Sequence, residues 1–385
     1  PPHTISSQRN PFPRIISCSR IQNRLHQPPV GQLLNLLDKV HSLILEKSTM
    51  PILSCILIET KDNNIYINAT NLETSITAIG KGQIKEKGAI AISGKQFFKV
   101  VKELPDLPIH LIVRDSITTI NCGKGRFKMP GTPIEEYPPK LTVGEGKSFT
   151  ITADTLKRCI SKTLFAVSKE VGSALSGGLL EINKSGVSLV ATDGHKLALI
   201  HKRNSFPEIQ AEILVGERTW RETNKLTGNC EIKFDENTVG FWSEDTVIVS
   251  KLMEGGFPDY KAVLPKDNDK LLVINKRNFI DALKRVAVFS EEITHLVRIK
   301  LKENVAYIGS MSEVGEAREE LACEYNGKEM EIGYNAAYLI DILTRIETDE
   351  VKMLLKDPLS AALITPKEQA EDEELTYLLM PIRLE

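Results

Sequence analysis

Long uncharged stretches are missing from this 385-residue chain: no window of eighteen residues is free of Asp, Glu, Lys and Arg. That excludes a membrane-spanning helix, and no membrane partner is expected. An excess of charge is missing too, with 49 basic against 51 acidic residues and a net charge of −2. Nucleic-acid binding therefore requires the cations to be segregated onto one surface. Metal-binding and disulfide patterns are absent. The six cysteines, Cys18, Cys55, Cys122, Cys159, Cys230 and Cys323, lie far apart with no C-x-x-C and no histidine at ligand spacing. No metal, no cofactor and a reducing compartment are expected. Acidic residues are absent from the first 25 positions, which hold Arg9, Arg14, Arg20 and Arg24; the first carboxylate is Asp38. That tail reads as an extension, with organelle targeting the alternative.

What is present is an ordinary globular mixture, 41% hydrophobic and 26% charged, in a chain long enough for several domains. It repeats. Ile65–Thr70 aligns with Val187–Thr192 and Val305–Ser310, at offsets of 122 and 118 residues, and each segment alternates as a half-buried strand behind a polar turn. Helical patterns bracket these strands near 31–46, 153–168 and 276–289, and again near 94–104, 217–227 and 335–346. Proline-rich connectors, Pro130 to Pro139 and Pro258 to Pro265, fall where copies end. The expected fold is α+β, three tandem copies with two helices on one face and antiparallel sheets outside, over 26–146, 147–271 and 272–385 after a 1–25 tail.

The positive charge recurs on the helices. Lys95, Lys99 and Lys102 form one stripe, Arg158, Lys162 and Lys169 a second, and Arg218, Arg221 and Lys225 a third; Arg277 and Lys284 make a poorer fourth. One such stripe is an ordinary solvated face. Recurrence on equivalent helices suggests a positive lining that binds phosphates without reading bases. Asp193 and His195 invite a hydrolytic reading, but no nucleophile motif accompanies them. Gly146-Lys147-Ser148 resembles the end of a phosphate loop, yet Leu141 stands where the motif wants glycine.

Four segments carry a family resemblance: Ala191 to Ala198 (ATDGHKLA), Ser250 to Tyr260 (SKLMEGGFPDY) with Val263-Leu264-Pro265, Glu329 to Asn335 (EMEIGYN) and Tyr377 to Leu384 (YLLMPIRL). In this order and spacing, from about residue 31 to the end, the chain resembles the bacterial DNA polymerase III β subunit, the replication sliding clamp. The resemblance implies a non-catalytic processivity factor, a homodimeric ring that encircles double-stranded DNA without sequence preference. It also implies as partners the replicative polymerase's catalytic subunit, a clamp loader and other clamp-motif peptides, in the cytoplasm at the nucleoid. A peptide pocket would be lined by Leu175, Thr192, Gly194, His195, Lys196, Leu197, Pro258, Val263, Asn335, Tyr338, Leu359, Leu378, Leu379, Met380, Pro381, Ile382 and Arg383. Dimer contacts would come from Lys124, Arg126, Phe127, Met129, Val288, Phe289, Glu313 and Glu316, and Lys47 would approach DNA. Departures are visible. Lys196 replaces a family arginine, Ala262 and Thr294 differ at the pocket, and Pro28 and Pro29 stand where a first strand is usual, so that strand is expected either to be missing or to be displaced into Arg14–Arg20. A monomeric DNA-binding scaffold is the alternative if the altered amino terminus disrupts the first domain's edge.

Overall fold

Each first helix places apolar residues at i, i+3, i+4 and i+7, and that spacing decides its buried face. In α1 (Val30–His41) the buried apolar set is Val30, Leu33, Leu36, Leu37 and Val40, and Lys39 is buried beside it. In α6 (Lys276–Ala287) it is Phe279, Ala282, Leu283 and Val286. Between them come α2 (Gly94–Lys102), α3 (Ala153–Thr163), α4 (Glu217–Glu222, continued by a 3-10 turn to Lys225) and the one-turn α5 (Tyr260–Val263); α7 (Ala336–Arg345) follows. Ser93, Asn275 and Asn335 cap α2, α6 and α7, each side chain accepting a hydrogen bond from the backbone N–H three residues on. All six expected helices form, but the first helix of each repeat is shorter than its apolar pattern, and α5 arises inside a proline-rich connector.

The computed structural model describes residues 16–17, 30–45, 49–170, 172–203 and 209–384. Within them the chain divides into two compact units, one reaching Ala153 and taking in Glu222–Lys251, the other holding Asp154–Arg221 and Leu252 onward. Each is built on a twelve-stranded antiparallel sheet. The expected hairpin turns form, with Asp62, Asn63 and Asn304 at positive φ, where short polar side chains tolerate the left-handed region. A short strand, Ile16–Ser17, lies within the segment expected to supply the displaced first strand, and it pairs with Ile109–Arg114 through Ile16↔Val113.

One connection occurs twice. In the first unit the third strand of repeat one, Thr74–Lys81, pairs with the last strand of repeat two, Thr246–Lys251, from Thr74↔Ser250 to Ala78↔Thr246. In the second unit the third strand after the first helix of repeat two, Lys196–Arg203, pairs with the last strand of repeat three, Glu373–Leu379, from Lys196↔Leu379 to Lys202↔Glu373. Two counterparts are left over. Gly315–Tyr325 is paired along Gly315–Ala322 only with Val305–Ser312, and Gly125–Pro130 is paired only with Ile117–Cys122, so among the described residues both keep one open edge.

Phe279 is wholly enclosed at the centre of α6's apolar face. Phe279→Ala is expected to lower stability by about 3–5 kcal/mol, read as a fall in the urea midpoint of the carboxy-terminal unit.

Candidate docking strip and phosphate-facing cations

A tight turn opens the strip. Asp193 Oδ1 accepts from the backbone N–H groups of His195 and Lys196, both at 2.9 Å, and Gly194 sits at φ +89°, a conformation strained for any other residue. Thr192 Oγ1 donates to the Lys196 carbonyl at 2.7 Å. The Lys196 ammonium pairs with Asp193 and lies 4.0 Å over the Tyr338 ring, against which His195 stacks at 6.3 Å. Asn335 holds that tyrosine's helix by capping the Tyr338 N–H at 3.1 Å, while its Nδ2 donates to the Thr294 carbonyl. Burial first, and the Asp193 charge second, raise the Tyr338 phenol's pKa. Asp193 is thus committed to the turn and to Lys196, and does not orient His195 as a base.

The carboxy-terminal segment completes the strip. Leu197 lies opposite Leu378, the Met380 N–H donates to the His195 carbonyl at 2.9 Å, and the Ile382 N–H donates to the Gly333 carbonyl at 2.8 Å. Leu197 and Leu378 are buried with Leu179, Val190, Leu214 and Tyr260; Ala174, Phe257, Leu264 and Ala361 pack around them, which brings Leu175, Pro258, Val263 and Leu359 to the same cluster through their chain neighbours. The residues named from sequence therefore divide. Thr192, Lys196, Leu197, Leu378 and Leu379 are buried and form the floor, while Leu175, Asn335, Tyr338, Pro381 and Ile382 are half-buried. Gly194, His195, Pro258, Val263, Leu359, Met380 and Arg383 are exposed. Three large apolar side chains, Val263, Leu359 and Met380, are 57%, 63% and 42% exposed above that floor. Sequence reading missed an apolar cavity in the first unit lined by Leu33, Ile58, Ile90, Leu111 and Val113, because its walls come from a helix and strands far apart in the chain.

The basic stripes fare unequally. Lys99, Lys102, Lys169, Arg277 and Lys284 are exposed and make no ion pair among the described residues. Lys95 is half-buried and Arg218 exposed; Arg221 is bonded to Glu217 one turn away. Lys47 lies outside the described residues. The second stripe requires correction. Lys162 is 5% exposed and donates to the Arg345 carbonyl at 2.5 Å and to Glu347 at 2.7 Å, while Arg158 pairs with Glu373 and Glu347. Lys225 is likewise engaged, by Glu222, the Ser42 hydroxyl and the Lys39 carbonyl. These three cations join repeats rather than face outward. Helical periodicity places a residue on a face without saying what packs there.

At the two open edges, Lys124, Arg126 and Phe127 are exposed on one side; Val288, Glu313 and Glu316 are exposed on the other, with Phe289 half-buried against Gly315. Met129 is a correction. It alternates inward on its strand and is 8% exposed, so it supports the edge from within.

Three family models match in sequence order: the DNA polymerase III β subunit's N-terminal domain over residues 30–142, its central domain over 150–259 and its C-terminal domain over 261–383. The chain belongs to the DNA polymerase III β-subunit family. It is a non-catalytic sliding clamp of replication that tethers partners. The beta sliding clamp of Pseudomonas aeruginosa is 31% identical over 366 residues, covering 91% of this chain and 98% of that protein. That of Haemophilus influenzae is 30% identical over 363 residues, with the same coverage. Among solved structures, the Pseudomonas aeruginosa sliding clamp bound to griselimycin superposes with a TM-score of 0.88 at 30% identity, covering 93% of this chain and 98% of that one. The Bartonella birtlesii clamp bound to griselimycin gives 0.86 at 28% identity, covering 96% and 100%. The family's three-domain organisation accounts for the repeats read from the sequence.

Arg158, and after it Lys162, lower the Glu347 carboxyl's pKa to about 2. A carboxyl depressed in the folded state contributes stability that is complete above the ordinary glutamate range and is lost as pH falls through about 2. Glu347→Gln is expected to lower the thermal midpoint at neutral pH, by a margin that shrinks steadily as pH falls from about 5 towards 2. Thermal unfolding of both proteins across that range checks it; a constant margin would remove Glu347 from the junction's energetics.

Proposed function

We propose that two copies of the chain join head to tail into a closed ring around duplex DNA, holding a replicative polymerase beside its template through the docking strip. The observation that carries this reading is the pair of open strand edges, Gly125–Pro130 and Gly315–Ala322. They are the last strand of repeat one and the third strand after the first helix of repeat three, the two classes of strand that already join the repeats within the chain. Unpaired edges of this length are aggregation-prone unless a partner covers them. Their side chains are complementary. Lys124, Arg126 and Lys128 stand exposed on one, Glu313, Glu316 and Glu320 on or beside the other, an arrangement that sets pairing and register more than strength. Using one edge of each kind per copy closes a two-membered ring and covers both of these edges.

Lys99, Lys169, Arg277 and Lys284, with Lys95, Arg218 and Arg221, supply phosphate contacts that are interchangeable along the duplex, so the ring slides. Tethering works by effective concentration, since a polymerase that lets go of its template stays beside it. The exposed Val263, Leu359 and Met380 over a buried leucine floor suit short apolar peptide motifs shared by several partners. A closed ring needs an external, ATP-driven loader. The domain limits 26–146, 147–271 and 272–385 and a place at the nucleoid in the cytoplasm belong to the same reading.

Loaded onto nicked circular DNA, the protein is expected to remain bound through gel filtration in high salt and to run off once the circle is cut. Equal loss from circular and linear DNA would sink encirclement. Met380→Asp should weaken capture of polymerase-derived peptides at least roughly tenfold while the solution mass stays that of a dimer, because a charge then replaces the exposed apolar contact. Unaltered peptide affinity would move the docking site elsewhere.

A further inference from the structure

The two junctions within the chain share a second feature besides their strands. Lys39, Lys162 and Arg285 each stand tenth in the first helix of their repeat, and Lys102, Lys225 and Arg345 each close the second helical segment. Where repeats one and two meet, Lys225 Nζ donates to the carbonyl of Lys39 at 2.6 Å, and the Lys39 ammonium pairs with Asp245 at 2.5 Å. Where repeats two and three meet, Lys162 Nζ donates to the carbonyl of Arg345 at 2.5 Å. In both, the cation near the end of one helix caps the backbone oxygen of the matching cation on the facing helix. Carbonyls in a last helical turn lack intrahelical partners and carry partial negative charge, so a buried ammonium there satisfies both.

Of the six matched cations, Lys102 and Arg285 remain outside such a junction. Both stand beside the open edges. The segment after α2 packs on the turn before Gly125–Thr132, with the Cys122 thiol donating to the Pro105 carbonyl at 3.5 Å and Leu107 lying against Gly123. Arg285 is ion-paired to Glu319 on the open strand itself. Lys102 is exposed and makes no ion pair among the described residues.

We propose that Lys102 of one copy donates its ammonium to the carbonyl of Arg285 at the end of α6 in a second copy, making the ring-closing junction a third instance of the two internal ones. Lys102 then belongs to ring closure and not to the phosphate-facing set, although its stripe on α2 is shared with Lys99. This rests on the ring reading above. The assignment of the donor follows the junction between repeats one and two, in which the second-helix lysine reaches the first-helix carbonyl, and the Arg285 guanidinium is already taken by Glu319.

Lys102→Met keeps the aliphatic stem and removes the donor, and Lys99→Met, one turn earlier, is its comparison; Lys102→Arg restores a donor. Dimer dissociation on dilution, followed by sedimentation of the full chain, and the salt dependence of retention on circular DNA are read for each. The expected result is a dimer dissociation constant raised at least roughly tenfold in Lys102→Met and recovered in Lys102→Arg, since a charge-assisted hydrogen bond is lost. Lys99→Met is expected instead to flatten the salt dependence. A Lys102→Met dimer as tight as the parent, with flattened salt dependence, overturns the proposal and returns Lys102 to the DNA-facing set. A parent chain that is monomeric at every concentration overturns the ring reading itself, which is a distinguishable failure.

Discussion

Backbone pairing between the third strand after the first helix of one repeat and the last strand of the next is the constraint from which the rest of this architecture follows. Thr74–Lys81 on Thr246–Lys251, and Lys196–Arg203 on Glu373–Leu379, turn separate repeats into continuous sheets. A strand with an unsatisfied edge is costly to leave in water and prone to non-specific pairing. Meeting that edge with the next repeat solves the problem twice, and the same solution leaves two edges over. The proposed end-to-end assembly would use those two edges and needs no further kind of strand pairing.

The cations divide according to that construction. Lys39, Lys162, Lys225 and Arg158 sit where helices of adjacent repeats approach, and their charge is neutralised by Asp245, Glu347, Glu222 and Glu373 or by helix-end carbonyls. Removing Lys225 or Arg158 is costly, because the buried carboxylates of Glu222 and Glu373 would each lose a cationic partner. Others, such as Lys99, Arg277 and Lys284, stay in solvent with their charge available. A near-neutral protein can therefore carry both kinds on its helices. The two are not distinguished by residue type or spacing, only by what lies opposite.

The docking strip follows a similar division. Its floor is hydrophobic core that would exist in any clamp-like fold: Leu197 and Leu378 lie opposite each other on adjoining strands and close the leucine cluster beneath Tyr260. Its surface is set by the Asp193–Gly194 turn and by Tyr338, which the Asn335 cap and the Lys196 ammonium hold in place. The segment Leu378 to Leu384 could be recognised by its run of apolar residues, Leu378, Leu379, Met380, Ile382 and Leu384. Which of its side chains point inward could not be read, since strand alternation stops at Leu379 and the chain then crosses to Gly333.

The amino-acid sequence by itself determined the periodic features: three repeats, two helices in each, their polar turns and the apolar faces, because periods of two and 3.6 residues are local properties of the chain. It also carried the family, through the motifs near His195, Pro258, Tyr334 and Met380. Only the tertiary structure decided that Lys162 and Met129 are interior, that Phe127 is exposed, that α5 forms in a connector, and that the repeats fuse through the third strand after a first helix and the last strand of the next repeat. Each of those outcomes depends on a partner more than a hundred residues away or on the packing of a whole sheet, and burial is a property of such neighbours rather than of the residue.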